Sequence, residues 1–190
     1  AQTGLTFSQN EFDRERYEEI HSISHQIFHH HTDTEIEKIE DLFATETAYP
    51  TPKVDVRGVV FRKDKVLMVK EKLDQRWAIP GGWADIGLTP AEVVVKEVKE
   101  EAGLDVEPQR LLAVLDKKQH DHPPSPLYVY KMFILCHEKG GRTQTGIETM
   151  DVGFFTPEDL PPLSYERNTR EQIHLLYDLF RHPEKPVIFD

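Results

Sequence analysis

The chain predicts an α/β fold: an α/β/α sandwich with a mixed sheet, preceded by a small N-terminal helical module. Three observations carry this. Residues 54–69 form two strand-like runs joined at Lys63-Asp64, which reads as a hairpin. Residues 89–103 read as a capped amphipathic helix, strand-like runs resume at 110–116, 127–136 and 152–155, and a last helix opens at Asn168. Ahead of all these lie two helical stretches with no strand between them. Placing helices on both faces of a sheet hides the apolar side of every element.

Residues 1–7 are expected to be loose. From Gln9 to about His31, Tyr17, Ile20, Ile23 and Ile27 recur at three- and four-residue steps after Phe12, with Phe28 beside the last. His29-His30-His31 closes the helix, where cationic side chains suit the macrodipole, and is preferred as that over a metal tract. Thr32-Asp33-Thr34 breaks the pattern and caps a second helix, Glu35 to about Ala44, with Ile36, Ile39, Leu42 and Phe43 on one face. Ala48-Tyr49-Pro50-Thr51-Pro52 is a stiff linker. Two short amphipathic helices cannot bury their apolar faces alone. Residues 1–47 therefore read as a dimerisation module, giving a homodimer, or else as a brace on the same chain; 48–53 link it to the main domain, 54–190.

In that domain Val54, Val56 and Val59-Val60-Phe61 lead to the turn, and Val66-Leu67-Met68-Val69 returns. Gln75 to Pro80 delivers the chain into Gly81-Gly82, where the backbone can approach a ligand closely. Thr89 caps the next helix, Pro90 takes its first position and Glu92 completes a capping box. Leu88 and Val93 are placed for a hydrophobic staple, and Gly103 supplies the left-handed stop. At about 100° per residue, Ala91, Val94, Val95, Val98 and Ala102 share the buried stripe. Glu92, Lys96 and Lys99 share a second arc. Glu97, Glu100 and Glu101 share a third, where like charges three and four apart repel by roughly a few tenths of a kcal/mol per pair. The macrodipole disfavours anions there as well. A divalent cation would supply the missing positive charge, since hard cations take carboxylate oxygens. A solvated acidic face balanced by Lys96 and Lys99 is the other reading.

Beyond the helix, Arg110 to Asp116 is a strand and Lys117 to Pro124 a polar loop, whose His120, Asp121 and His122 offer ligand or base chemistry or a solvated turn. Leu127 to Cys136 is a long strand carrying Tyr128, Tyr130 and Phe133, and Gly140-Gly141 to Gly146 is expected to be a mobile loop before Glu148. Val152 to Phe155 is the last clear strand. The final helix buries Ile173, Leu176, Leu179 and Phe180. Cys136, the one cysteine, sits in an apolar run and reads as a small buried hydrophobe.

Gly82, five residues, position 88, seven residues, then Lys96-Glu97-Val98-Lys99-Glu100-Glu101-Ala102-Gly103-Leu104 resembles the Nudix box, the signature of Nudix hydrolases. The family usually has Glu where Leu88 stands and Arg where Lys96 stands; Lys96 keeps the charge without the bidentate fork. The resemblance implies the Nudix fold and Mg²⁺ or Mn²⁺ held by Glu97, Glu100, Glu101 and the Gly81 carbonyl. It implies Glu100, Glu101 and Glu148 as catalytic carboxylates, Glu148 matching by position only. It also implies Arg57 beneath the substrate phosphates, an exposed strand charge being the other reading of that residue. The N-terminal helices, the Tyr49 to Gly58 segment and the Asp116 to Pro124 loop resemble the Nudix branch with a helical extension, which hydrolyses X-linked nucleoside diphosphates. That branch includes CDP-choline pyrophosphatases and members acting on ADP-ribose. CDP-choline is the expected substrate, giving CMP and phosphocholine, with ADP-ribose the alternative. Trp83, Tyr128 and Tyr130 are candidates for an aromatic cage around choline or for core positions.

A net charge of −11 disfavours non-specific binding to nucleic acid or anionic membranes, so RNA-end trimming on the same scaffold is a lesser reading. A non-catalytic nucleotide-binding regulator is a third, and the carboxylate cluster argues against it. The chain has no long apolar run and no basic-then-apolar start, so a cytoplasmic protein is expected.

Overall fold

The computed structural model describes residues 1–32, 34–43 and 49–190, Leu42 by its backbone alone. Asp33, Ala44 and Ala48, assigned above to a cap, a helix end and a linker, lie outside the described residues. The chain divides into two compact units, Ala1–Thr51 and Pro52–Asp190.

The first unit comprises α1 (Gln2–Phe7), α2 (Glu11–His31) and α3 (Ile36–Phe43). The first seven residues are thus not loose. Gly4 lets α1 lie directly on the Tyr17 ring, whose nearest atom is 2.5 Å from where a Cβ would stand. Asn10 starts α2 by accepting the Phe12 N–H at 2.9 Å, and the three histidines occupy its last turn. Ile39 of α3 is buried, and His25 is enclosed by the His21 and Phe43 rings at 4.3 and 5.9 Å. Ile20, Ile23 and Ile27 of α2 remain exposed in the single chain.

The second unit contains β1 (Lys53–Arg62), β2 (Lys65–Glu71), β3 (Trp77–Ala78), β4 (Gly81–Trp83), α4 (Pro90–Ala102), β5 (Leu104–Asp116), β6 (Val129–Gly141), β7 (Thr149–Phe155), α5 (Arg170–Arg181) and β8 (Ile188–Phe189). The sheet order is β3-β2-β1-β6-β5-β8, with β4 paired to β1 and β7 to β2. β1 runs parallel to β6 and antiparallel to β2 and β4, so the sheet is mixed. The hairpin turn has positive φ at Lys63 and Asp64, 48° and 60°, the geometry a two-residue loop requires.

Strand alternation divides the apolar residues between two cores. Val59, Val66 and Met68 enter the core covered by Ile173, Leu176, Tyr177 and Leu179 of α5. Val56, Val60, Leu67 and Val69 enter the core covered by Val93, Val94, Val98 and Ala102 of α4. This is an α/β/α sandwich. Among the described residues, no helix is long and apolar enough to cross a membrane.

Several strand boundaries differ from the sequence reading; β6, for one, begins at Val129 rather than Leu127. β5 begins at Leu104 and β6 runs through Gly141, pairing Leu104 with Gly141. Gly140 and Gly141 are therefore ladder residues rather than part of a mobile loop, because backbone pairing extends past the apolar pattern. β7 likewise starts at Thr149.

α4 carries the full capping box. The Thr89 N–H donates to Glu92 Oε2 at 2.8 Å, the Glu92 N–H donates to Thr89 Oγ1 at 3.3 Å, and Gly103 stops the helix at φ 74°. Its buried stripe is turned from the expected one: Val93 and Glu101 are buried, Ala91 is exposed and Val95 is 37% exposed. The series 93, 97, 101 lies one helical turn apart and borders the sheet, which brings two carboxylates to the edge of the core.

Candidate active site

The site begins where β4 lies against the middle of β1, with Gly81 opposite Arg57 and Gly82 opposite Val56. Gly81 has φ 141°, and a Cβ there would stand 2.1 Å from the Val56 carbonyl oxygen. Only glycine fits so close a passage. The Gly81 N–H donates to Glu101 Oε2 at 2.9 Å.

A second segment closes the other side. Gly146 passes so near α4 that a Cβ would be 2.0 Å from the Glu100 carbonyl oxygen. The Gln144 N–H donates to the Ala102 carbonyl at 3.0 Å. Thr149 Oγ1 donates to the Glu101 carbonyl at 2.8 Å and accepts the Gly146 N–H at 2.7 Å. Lys72 Nζ donates to the Ile147 carbonyl at 2.6 Å. These bonds clamp residues 144–149 to the C-terminal end of α4 and place Glu148 at the site.

Two adjoining cavities result. The first, about 730 Å³, is lined by Glu97, Glu100, Glu101 and Glu148 beside Trp83. The second, about 390 Å³, adds Arg57, Glu71, Lys117, Lys131 and Arg167. Gly82, Trp83, Glu97, Glu101 and Glu148 border both.

The carboxylates are crowded and partly desolvated. Burial pushes the Glu101 carboxyl up to about 8 against the pull of Arg57 and the Gly81 N–H, and Glu71 and Glu97 add to the rise. Burial also raises Glu97; Lys96, 4.0 Å away, opposes this, while Glu100 and Glu148 reinforce it. Burial raises Glu71 too, against Arg167 at 3.0 Å. Desolvated, mutually repelling hard oxygens are a donor set that a divalent cation would neutralise, so these residues fit such an ion. Among the described residues, no three of these side chains converge as a ready-made ligand set: Glu101 is turned to Gly81, and Glu100 is exposed and borders only the first cavity.

Positive charge lies beside these carboxylates. Arg57 is 6% exposed, so it is not an exposed strand charge. Its Nε donates to Asp55 at 2.8 Å and its Nη1 to the Ile79 carbonyl at 3.0 Å. Lys131 is 1% exposed and pairs with the other oxygen of Asp55; burial lowers its ammonium to about 8. Lys117 Nζ donates to Glu166 at 2.9 Å.

The aromatic residues do not assemble a cage. Trp83 stands exposed at the mouth of both cavities. Tyr128 is 60% exposed, borders neither, and has Lys118 Nζ 3.4 Å above its ring. Tyr130 borders a separate cavity with Phe189. The reason is alternation: Leu127, Val129 and Lys131 line the second cavity, so the residues between them point away. His120 pairs with Asp190 at 3.0 Å and His122 Nδ1 meets the Tyr165 carbonyl at 2.6 Å; neither borders the two cavities. Cys136 is buried and its thiol is pushed up to about 12 by that burial, as an inert core residue should be.

Asp55, Glu71, Lys117, Lys131 and Arg167 were missed by sequence reasoning. Lys131 carried a signal, since it shares the inward register of Val129 and Phe133. Asp55 carried one too, sharing a strand face with Arg57. Arg167 carried none. It arrives because Asn168 accepts the Ile79 N–H at 2.8 Å, a contact between distant segments.

Residues 1–43 match the family described as UDP-X-like, N-terminal oligomerisation domain, and residues 51–176 match the family described as NUDIX domain. The chain is 53% identical over 190 residues to YjhB of Bacillus subtilis (strain 168), provisionally named an ADP-ribose pyrophosphatase, covering 100% of this chain and 91% of that protein. The crystal structure of an ADP-ribose pyrophosphatase from Streptococcus suis 89-1591 superposes with a TM-score of 0.68 at 47% identity, over 74% of this chain and 100% of that one. The crystal structure of a UDP-X diphosphatase superposes with a TM-score of 0.70 at 34% identity, over 99% of this chain and 91% of that one.

Proposed function

The chain belongs to the Nudix family and is a Nudix pyrophosphohydrolase, and from that premise we propose that it hydrolyses a nucleoside diphosphate linked to a sugar, best represented by ADP-ribose. The observation that carries this is one cavity lined by both carboxylates, Glu97, Glu101 and Glu148, and buried cations, Arg57 and Lys131. The names of the Bacillus and Streptococcus relatives support ADP-ribose, and the UDP-X diphosphatase supports an X-linked diphosphate more broadly. CDP-choline loses its main structural argument with the separation of Trp83, Tyr128 and Tyr130.

Glu97 and Glu101, with Glu100 and the Gly81 carbonyl, are the groups that would hold Mg²⁺ or Mn²⁺. Such an ion, when bound, supplies Lewis-acid polarisation of the phosphoryl oxygens and a more acidic attacking water. Arg57, fixed by Asp55 and the Ile79 carbonyl, presents a preorganised cation to the diphosphate. Glu148 is exposed and borders both cavities, which supports it as the carboxylate that takes the proton of the water. The water oxygen bonds to one phosphorus, the bridging P–O bond breaks, and the leaving phosphate departs with the electron pair. From ADP-ribose the products are AMP and ribose-5-phosphate.

The N-terminal unit is proposed to pair two copies of the chain. The family description of residues 1–43 and the exposed isoleucines of α2 support this.

Product analysis with Mg²⁺ or Mn²⁺ and a panel of ADP-ribose, UDP-sugars, CDP-choline, nucleoside triphosphates and short RNA tests the reading. Release of AMP and ribose-5-phosphate, with ADP-ribose the preferred substrate, is expected. Preference for CDP-choline or RNA would overturn it.

A further inference from the structure

The chemistry above uses Arg57 and the carboxylates but leaves the two lysines of the second cavity without a task. Lys131 is buried on β6 in the inward register between Val129 and Phe133. Its partner Asp55 is already engaged by Arg57, so one carboxylate faces two cations. Lys117 is near enough that its charge, with that of Arg57, opposes protonation of Lys131. The partner of Lys117, Glu166, lies largely in solvent, which weakens its compensation. Arg57, Lys131 and Lys117 therefore outnumber the carboxylates that pair with them in a desolvated setting, and Ser125 also lines the cavity. Glu97, Glu101 and Glu148 line the same cavity, and Arg57 is close enough to act on Glu97 and Glu101. Stability does not require the arrangement, because replacing a buried ion pair by apolar groups of similar volume is often neutral or favourable.

We propose that Lys131 and Lys117 bind the moiety linked to the nucleoside diphosphate and select an oxygen-rich sugar phosphate over a quaternary ammonium. This rests on the pyrophosphohydrolase reading and names the feature that sets its specificity. Sugar hydroxyl and phosphate oxygens accept from ammonium N–H groups. A choline head offers no donor or acceptor, and both lysines repel its charge with no aromatic cage to offset them.

The test compares wild type with Lys131→Met and Lys117→Met, each checked by thermal unfolding. The second variant leaves the Asp55–Arg57 pair untouched and keeps the test alive if the first fails to fold. Calorimetry measures binding of ribose-5-phosphate, phosphocholine and AMP; kinetics give kcat/KM for ADP-ribose and CDP-choline. Ribose-5-phosphate binding is expected to weaken by about tenfold or more in either variant, as for loss of a charged hydrogen bond. AMP affinity should stay within about twofold, and the kcat/KM preference for ADP-ribose over CDP-choline should fall by about tenfold. Unchanged ribose-5-phosphate binding and preference in a folded variant would overturn the inference. So would wild type that fails to bind ribose-5-phosphate, or loss of AMP binding in its place, which would assign the cavity to the nucleotide half. Failure of wild type to cleave either substrate would count against the enzymatic reading, while the ribose-5-phosphate arm would still report on the lysines.

Discussion

The backbone N–H of Gly81 and Oε2 of Glu101 lie 2.9 Å apart, which ties the glycine turn to the last turn of α4. The bond orients a buried carboxylate through a residue whose conformation no other amino acid adopts comfortably. Gly81→Ala would set a methyl 2.1 Å from the Val56 carbonyl oxygen and 2.8 Å from the Arg57 Cα at φ 141°. The expected result is a loss of about 3 kcal/mol or more in urea unfolding, together with loss of turnover. Gly87→Ala is the control: φ there is also positive, 94°, but the Cβ meets nothing within 4 Å. It should cost only about 1–2 kcal/mol.

Glu101 makes stability depend on pH. Its folded carboxyl stands at about 8 and its ordinary value is 4.5. Between these values the folded chain holds a proton that the unfolded chain has released, so this contribution is complete below 4.5 and is lost as pH rises through about 8. Lys131 acts in the opposite sense, its folded value of about 8 lying below the ordinary 10.5, so it restores stability only as pH rises between them. The Tm of metal-free protein should fall from about pH 5 to pH 8. Glu101→Gln should shrink that fall, leaving the smaller part due to Glu97 and Glu71, and keep the fold while turnover drops by about a hundredfold or more. Mg²⁺ should raise the wild-type Tm more at about pH 8 than at about pH 6, because it binds the ionised carboxylates. A wild-type Tm flat across this range, measured with chelator present, would refute the assignment.

α4 was legible because its signals are local: Thr89, Pro90, Glu92 and Gly103 lie within or beside the helix they delimit. The acidic arc of Glu97, Glu100 and Glu101 followed from periodicity alone. The choice of Val93 over Val95 as a buried residue did not. It depends on how α4 settles on β1, where Gly58 lacks the Cβ that would stand 2.6 Å from Val98 Cγ2. Tyr128, read as a cage or core candidate, precedes β6 and is exposed outside both cavities, because an aromatic residue in an apolar run does not say which face it occupies. Lys131, three positions on, was the informative residue, a charge in an inward register. The pairing of Glu71 with Arg167 joins segments that only the folded sheet brings together.

The clamp on residues 144–149 makes Glu148 sensitive to a residue that bears no functional group. Gly146→Ala would drive a methyl to 2.0 Å from the Glu100 carbonyl oxygen, and backbone cannot yield as a side-chain tip does. The segment should lift from α4 and carry Glu148 away. Both Gly146→Ala and Glu148→Gln are expected to lower kcat by about a hundredfold to ten-thousandfold, the range for a lost general base. Only Gly146→Ala should increase proteolysis or hydrogen exchange at 144–149. Equal exchange in the two variants would show that the glycine does not control the position of the loop.

The exposed face of α2 makes the last prediction quantitative. Ile20, Ile23 and Ile27 recur at helical spacing yet stay exposed in the single chain, while Ile39 of the neighbouring α3 is buried. Burying an isoleucine side chain contributes about 1.5–3 kcal/mol. In a two-fold interface each position occurs twice, so one substitution removes about 3–6 kcal/mol of association, a hundredfold or more in the dimer constant. Ile23→Asp and Ile27→Asp should therefore convert a dimer to monomers at micromolar concentration, as measured by light scattering coupled to size exclusion. Thermal unfolding of the Pro52–Asp190 unit should be little changed, because its two cores contain neither residue. Dimers that persist in the double variant would place the interface away from this face of α2.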